Sequence, residues 1–234
     1  VTRGKWGARP PRAITELPWP QVDALAIHYS AAASDENPDY AARVRGIQDF
    51  HIDGRGWNDI AYNWLVSRTG VIFEGRGWGV MSAATLGHNS HTYAVCFLGA
   101  DKPGRDDATA KGRKAIAEVL LEASRLSGKR LGLAHVQHGQ HRTLAVGGHR
   151  DFTSTDCPGD ELYEWITLRG WEHERPDTRV PYPPHFFQWA AWVLGEGAYK
   201  HAGPRKGKRP RHPALPVSPV YWLALKRFLR QRHR

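Results

Sequence analysis

The apolar positions fall into short blocks whose spacing changes along the chain. Residues 22–30, VDALAIHYS, are apolar and β-leaning, the pattern of a central strand. Residues 38–51 begin with Pro38 and set Ala41, Val44, Ile47 (with Gln48) and His51 on one helical face. Residues 60–67 and 71–74 are strand-like and separated by Arg68-Thr69-Gly70, a hairpin signal. Residues 92–99 read as a further strand. Over 109–127, Ala115, Val119, Leu120, Ala123 and Leu126 keep helical spacing, with Gly128 as the stop. A short strand over 144–148 then delivers His149. Strands alternating with helices predict an α/β fold with a mixed central β-sheet flanked by helices.

After about Trp171 the pattern breaks. Nine of the 16 prolines lie from Pro176 onward. Two islands interrupt this stretch: the aromatic segment 185–197 and the basic amphipathic segment 220–232, with Trp222, Leu225, Phe228 and Leu229 on one face. The islands are expected to pack as a helical pair or to dock on the main domain. The division predicted is a domain over 1–173 and a basic, Pro-rich, partly helical extension over 174–234. Charge follows the same boundary. The formal net charge is +10, yet residues 200–234 carry 11 Lys/Arg and no Asp or Glu, which leaves residues 1–199 at −1. A neutral body with a cationic tail points to a polyanionic partner, such as an anionic envelope polymer or lipid. Nucleic acid is not expected, because the tail carries no reading motif. No apolar run is long enough to cross a bilayer, and the start shows no signal-peptide pattern.

Two cysteines are present, Cys96 and Cys157. A single disulfide between them is disfavoured for a chain with no export signal. Cys96 sits in an apolar strand, where a cysteine acts as a small hydrophobe. Cys157 sits in a polar loop before Pro-Gly, where a ligand role makes more sense. His28 ends a predicted strand, and His149 and Cys157 are separated by seven residues. Two imidazoles and a thiolate suit zinc. Structural zinc sites close with four protein ligands, while catalytic ones keep three and a water. Spacing alone leaves a structural metal, a catalytic metal and coincidence all open, since the chain has 13 histidines. His135, His138 and His141 read as a solvated loop rather than a second metal site, because no carboxylate or thiol cluster accompanies them.

Several longer motifs carry a resemblance. Lys5-Trp6-Gly7-Ala8-Arg9, the segment GWNDIAYNWLVSRTGVIFEGRGWGV (56–80), Asn89-Ser90 followed by TYAVCFLGA (92–100), and GHRDFTSTDCPGD (148–160) stand in one order. Together they resemble the zinc amidase family that includes phage-type amidase lysozymes and peptidoglycan recognition proteins. The likeness runs from about residue 3 to 171. It implies the amidase/peptidoglycan-recognition fold, Zn2+ as cofactor, and N-acetylmuramoyl-L-alanine amidase activity: hydrolysis of the amide between the lactyl group of muramic acid and L-alanine of the stem peptide. By position, His28, His149 and Cys157 match the metal ligands, Tyr62 a catalytic tyrosine, and Thr155 a catalytic position held by threonine or lysine.

Those residue types suit the reaction. Zinc acidifies bound water to a pKa of about 7 and polarises the scissile carbonyl. The Tyr62 and Thr155 hydroxyls are the candidate donors to the oxyanion. A tyrosine with an ordinary pKa near 10 makes a poor base at neutral pH. For the substrate, Gly56-Trp57 matches a pair that accompanies binding of meso-diaminopimelate stems, and Asn58, Trp78 and Asn89 are further candidate contacts. One departure stands out. Where many recognition proteins have a histidine before the Asn-Ser pair, this chain has Ser82-Ala83-Ala84-Thr85; His88 is the candidate replacement. Asp151 reads equally as a group orienting a ligand or as a turn-backbone acceptor.

The expected protein is a monomeric zinc amidase, a phage or prophage endolysin made in the host cytoplasm and released to the wall through a holin pore. An excised domain would look the same. The rivals are a non-catalytic recognition module, which commonly lacks the thiolate ligand, and a zinc peptidase cutting within the stem.

Overall fold

A computed structural model describes residues 1–31, 39–100, 108–134 and 142–174. All lie within the first unit of the chain, Val1–Val180. The two islands, nearly all of the expected extension, and the three loop histidines at 135, 138 and 141 lie outside the described residues.

Six strands form one sheet: β1 (Ala24–Tyr29), β2 (Trp64–Ser67), β3 (Ile72–Glu74), β4 (Thr92–Leu98), β5 (Arg130–Leu133) and β6 (Thr143–Gly148), in the order β3-β2-β4-β1-β6-β5. Neighbouring strands are parallel except β3, which pairs antiparallel with β2 through the predicted hairpin. The helices are α1 (Arg3–Trp6), α2 (Tyr40–Asp49), α3 (Ala110–Ser127) and α4 (Asp160–Thr167). The mixed sheet flanked by helices is the fold the periodicity predicts. The strand β5 and the helix α4 were not expected from it.

Strand alternation assigns the two sheet faces. Leu25, Ile27, Val95, Phe97, Leu144 and Val146 point into the core shared with α3 and α4. Cys96, Leu98 and Leu65 point the other way, onto Trp6 of α1 and Val44 of α2. Parallel strands buried on both faces must read as continuous apolar runs, and every residue of β4 is buried. Because side chains alternate, His28 falls on the α2 face, in register with Cys96 of β4.

The helix ends follow their local chemistry. Thr109 caps α3 by accepting from the Gly112 N–H at 3.1 Å, and Gly128 terminates it in the left-handed conformation. Asp39 caps α2, accepting from the Ala42 N–H at 3.0 Å. That helix does not stop at residue 51: a π-helical turn, Phe50–Gly54, continues it and carries His51. The strand expected from residue 60 begins only at Trp64. The buried Asn63 explains this. Its Oδ1 accepts from the Ala94 N–H at 2.8 Å, and its amide donates to the Gly77 and Val80 carbonyls at 2.8 Å each. The Asn63 side chain takes the Ala94 N–H in place of a backbone partner, and Tyr62 lies outside the sheet.

Candidate metal centre

The site is built at the carboxyl ends of the neighbouring strands β1 and β6. β6 pairs with β1 so that Gly148 lies opposite Ile27, which places His149 beside His28. The chain then folds back. At Gly148 a Cβ would lie 2.7 Å from Pro158 Cδ and 2.9 Å from Tyr163 Cδ2, so only glycine lets the loop close onto the strand end. Two turn bonds to the His149 carbonyl, from the Phe152 and Thr153 N–H groups, tighten the return. Asp151 clamps the base of the loop: its carboxylate accepts from the Gly148 N–H at 2.9 Å and from the Tyr163 hydroxyl at 2.7 Å. Of its two sequence readings, the turn acceptor is the one the geometry gives.

Cys157 returns to the strand ends as a result. Its Sγ accepts from the Tyr29 N–H at 3.4 Å and stands 3.9 Å from His28 Nδ1. The His28 and His149 rings are 4.4 Å apart. One ligand atom from each of His28, His149 and Cys157 falls within 4.8 Å of the others. Ligands around a tetrahedral zinc stand roughly 3.3–3.6 Å apart, given bond lengths of about 2.0–2.3 Å, so a small contraction closes the set. Among the described residues no fourth His, Cys or carboxylate joins the group. Cys96 and Cys157 are both free.

Electrostatics suits a cation here. Burial, and then the neighbouring His149, hold His28 well below the ordinary histidine range, and burial lowers His149 as well. Burial pushes the Cys157 thiol up to about 12, against the Tyr29 N–H and the charge of Arg150. Without a cation the three groups are two neutral imidazoles and a thiol. A bound divalent ion supplies the charge that ionises the thiol, while both imidazoles already offer lone pairs.

A row of rings leads away from the ligands. Tyr62 lies 5.5 Å from His28, His51 5.8 Å from Tyr62, and Trp57 4.9 Å from His51 in a stacked arrangement. The Tyr62 phenol is held well above its usual range by burial and by the neighbouring Cys96 and Cys157 sulfurs. It is therefore a proton donor at neutral pH rather than a base. His51 is lowered to about 4 by burial and by Arg76 and Arg55, and its Nδ1 accepts from the Ala61 N–H at 3.1 Å. Sequence reading had made His51 only part of a helical face. The exposed Thr155 uses its hydroxyl oxygen to accept from the Cys157 N–H at 3.3 Å, which leaves its proton free to donate.

The expected substrate contacts divide. Trp57 is half-buried at the end of the ring row, and Asn58 is exposed beside it. His88 bonds His91 at 3.1 Å and meets the Phe152 ring of the ligand loop edge-on at 5.5 Å. Asn89 turns its Oδ1 inward, onto the Thr85 N–H at 2.9 Å and the Ser82 hydroxyl at 3.3 Å. Trp78 corrects the sequence reading. It packs against the α3-side core with Trp19, Trp64 and Tyr93, and its indole N–H reaches Glu122 of α3 at 3.4 Å. It lies in the turn after β3, and these contacts place it as a packing residue on the α3 side. Thr85 was missed as a site residue: its hydroxyl lies 3.2 Å from His28 Nε2.

An α/β sheet in which β1, β6 and the loop after β6 bring two histidines and a cysteine to one point, beside partly open aromatic rings, defines a protein with a candidate metal site. Comparison with known proteins gives the family. The model described as "N-acetylmuramoyl-L-alanine amidase" (Amidase_2) matches residues 18–160, and the chain belongs to that family. It is 33% identical over 174 residues to the human N-acetylmuramoyl-L-alanine amidase, covering 73% of this chain but 28% of that protein. It is 30% identical over 175 residues to peptidoglycan recognition protein 1 of Bos indicus, covering 75% of this chain and 85% of the relative. Among solved structures, peptidoglycan recognition protein-LE in complex with tracheal cytotoxin, a monomeric diaminopimelic acid-type peptidoglycan, superposes with a TM-score of 0.58 and 31% identity, covering 72% of this chain and 92% of that chain.

Proposed function

We propose that this chain is a zinc-dependent N-acetylmuramoyl-L-alanine amidase acting on bacterial peptidoglycan. The observation that carries the reading is the convergence of His28, His149 and Cys157 within 4.8 Å, next to a tyrosine held in its protonated form.

A zinc ion held by these residues supplies a Lewis acid and water acidified to a pKa of about 7. The chain's own groups do the rest. Tyr62 keeps its proton and donates a hydrogen bond where negative charge grows on the scissile carbonyl oxygen; donors of this kind contribute about 3–4 kcal/mol to lowering the barrier. Thr155 braces the Cys157 backbone and offers its proton to the same region. The Asp151 clamp and the Tyr29 N–H fix the loop, so that reaction does not require the ligands to reorganise.

On the substrate side, the Trp57 end of the ring row is the proposed stem-peptide contact. Support for a meso-diaminopimelate stem comes from the Gly56-Trp57 pair and from the diaminopimelic acid-type ligand of the structural relative. We further read the protein as a wall lysin of the phage or prophage type, its cationic 200–234 segment adding attraction to anionic envelope polymers.

The test is digestion of purified walls, with muropeptides identified by mass spectrometry, repeated with chelator and then with added zinc. Free glycan and intact stems beginning with L-alanine are expected, lost with chelator and restored by zinc. A cut inside the stem makes the protein a peptidase. Wall binding without any cut makes it a recognition module.

A further inference from the structure

We propose that Thr85 is a positioning residue for the metal centre: its hydroxyl accepts the Nε2 proton of His28 and so turns the lone pair of Nδ1 toward Cys157. This rests on the metal reading above and adds a residue outside the ligand set.

The argument begins with the neutral ring. His28 is buried, and an imidazole that binds a metal through one nitrogen carries its single proton on the other. Nδ1 faces Cys157 Sγ at 3.9 Å, on the ligand side. A nitrogen that binds a metal must present its lone pair, so the proton belongs on Nε2. Thr85 Oγ1 stands 3.2 Å from that atom. Without an acceptor there, the ring would carry a buried, unpaired N–H, which is unfavourable. It would also gain freedom to hold the proton on Nδ1, where it blocks the metal. Which nitrogen binds is set by the hydrogen bond the other one makes.

Thr85 is itself held on a braced turn. Its N–H donates to Asn89 Oδ1 at 2.9 Å, and its carbonyl accepts from the His88 N–H at 2.9 Å. The Thr92 hydroxyl at the start of β4 donates to the His88 carbonyl at 2.8 Å, and the Ser82 hydroxyl reaches both Asn89 Oδ1 and the Thr92 carbonyl. The side chain is fully buried. The turn therefore presents one hydroxyl to one ring nitrogen from a fixed base. Asn89, expected from the sequence to meet substrate, serves this turn through its Oδ1.

Thr85→Val keeps the shape and removes the acceptor, and Thr85→Ser keeps the hydroxyl. The full-length protein and both variants are titrated with Zn2+ against a chromophoric chelator, and loaded with Co2+ to read the thiolate-to-cobalt charge-transfer band. The unfolding temperature of each metal-free protein is measured alongside. We expect Thr85→Val to bind Zn2+ about 10–100-fold more weakly, with an altered cobalt spectrum, and Thr85→Ser to restore affinity to within a few-fold. Equal affinity of wild type and Thr85→Val overturns the proposal while the metal reading stands, even if Thr85→Val lowers the unfolding temperature. Loss in Thr85→Ser as large as in Thr85→Val also overturns it, since the hydroxyl would not be what matters. If wild type takes up neither ion, or shows a cobalt spectrum unchanged by Cys157→Ser, the metal reading fails and the role of Thr85 falls with it.

Discussion

Acidification should unfold this domain partly through His51. The ring is buried, accepts from the Ala61 N–H through Nδ1, and sits near the Arg76 and Arg55 guanidinium groups. It titrates at about 4 in the folded chain, against an ordinary value of 6.5. Above pH 6.5 the ring is neutral in both states and contributes no pH dependence. Between 6.5 and 4 the unfolded chain takes up a proton that the folded chain refuses, so stability falls as pH falls. Below 4 both states are protonated and the loss levels off. At about 1.36 kcal/mol per pH unit, that gap amounts to roughly 3 kcal/mol. Solvent reaches part of the site, which brings the expectation to about 2–3 kcal/mol. The assay is urea unfolding of the chelator-treated protein from pH 8 to pH 4, compared with His51→Asn, whose Oδ1 still accepts from the Ala61 N–H but does not titrate. Other titrating groups cancel in the difference. Parallel stability curves for the two proteins across that window, or an NMR titration of the His51 ring near 6.5, would refute the reasoning.

Four further outcomes are expected. Cys157→Ser should leave the fold intact by circular dichroism, yet abolish wall digestion and lower zinc content measured by atomic emission. Tyr62→Phe should reduce kcat by about 100–1000-fold with little change in KM, because the lost bond forms only as charge develops; an unchanged kcat/KM would remove Tyr62 from the mechanism. Asp59→Ala should cost about 2–4 kcal/mol in denaturant unfolding, since the buried carboxylate holds Arg3 at 2.9 Å and Gln48 at 2.7 Å. Gly148→Ala should destabilise by about 1–3 kcal/mol and weaken zinc affinity, because a Cβ there meets Pro158 at 2.7 Å; retained affinity would show that the ligand loop closes without that contact.

Much of the architecture was legible because burial leaves a local signature. A strand covered on both faces must be apolar throughout, so β1 and β4 announced themselves. The amphipathic spacing and the Thr109 and Gly128 caps did the same for α3. Shorter elements escaped. β5, with only four residues and Gly132 among them, has too little pattern to read. The late start of β2 depended on Asn63 bonding to Ala94, Gly77 and Val80 across 14 to 31 residues, which no local window contains.

The same division runs through the site. By itself the sequence determined the donor types: two imidazoles, a thiol, and a phenol too weakly acidic to be a base at neutral pH. The motif order tied those residues to one family. Only the tertiary structure decided that His28 and Cys157, 129 residues apart, face each other at 3.9 Å. It also sent Trp78 to the α3 face, set Asp151 to clamping its own turn, and put Thr85 against His28. The physical reason is that side-chain periodicity records which way each residue points from its own strand. It does not record which strand becomes the neighbour or at what register, and the register of β1 between β4 and β6 is what brings the ligands together.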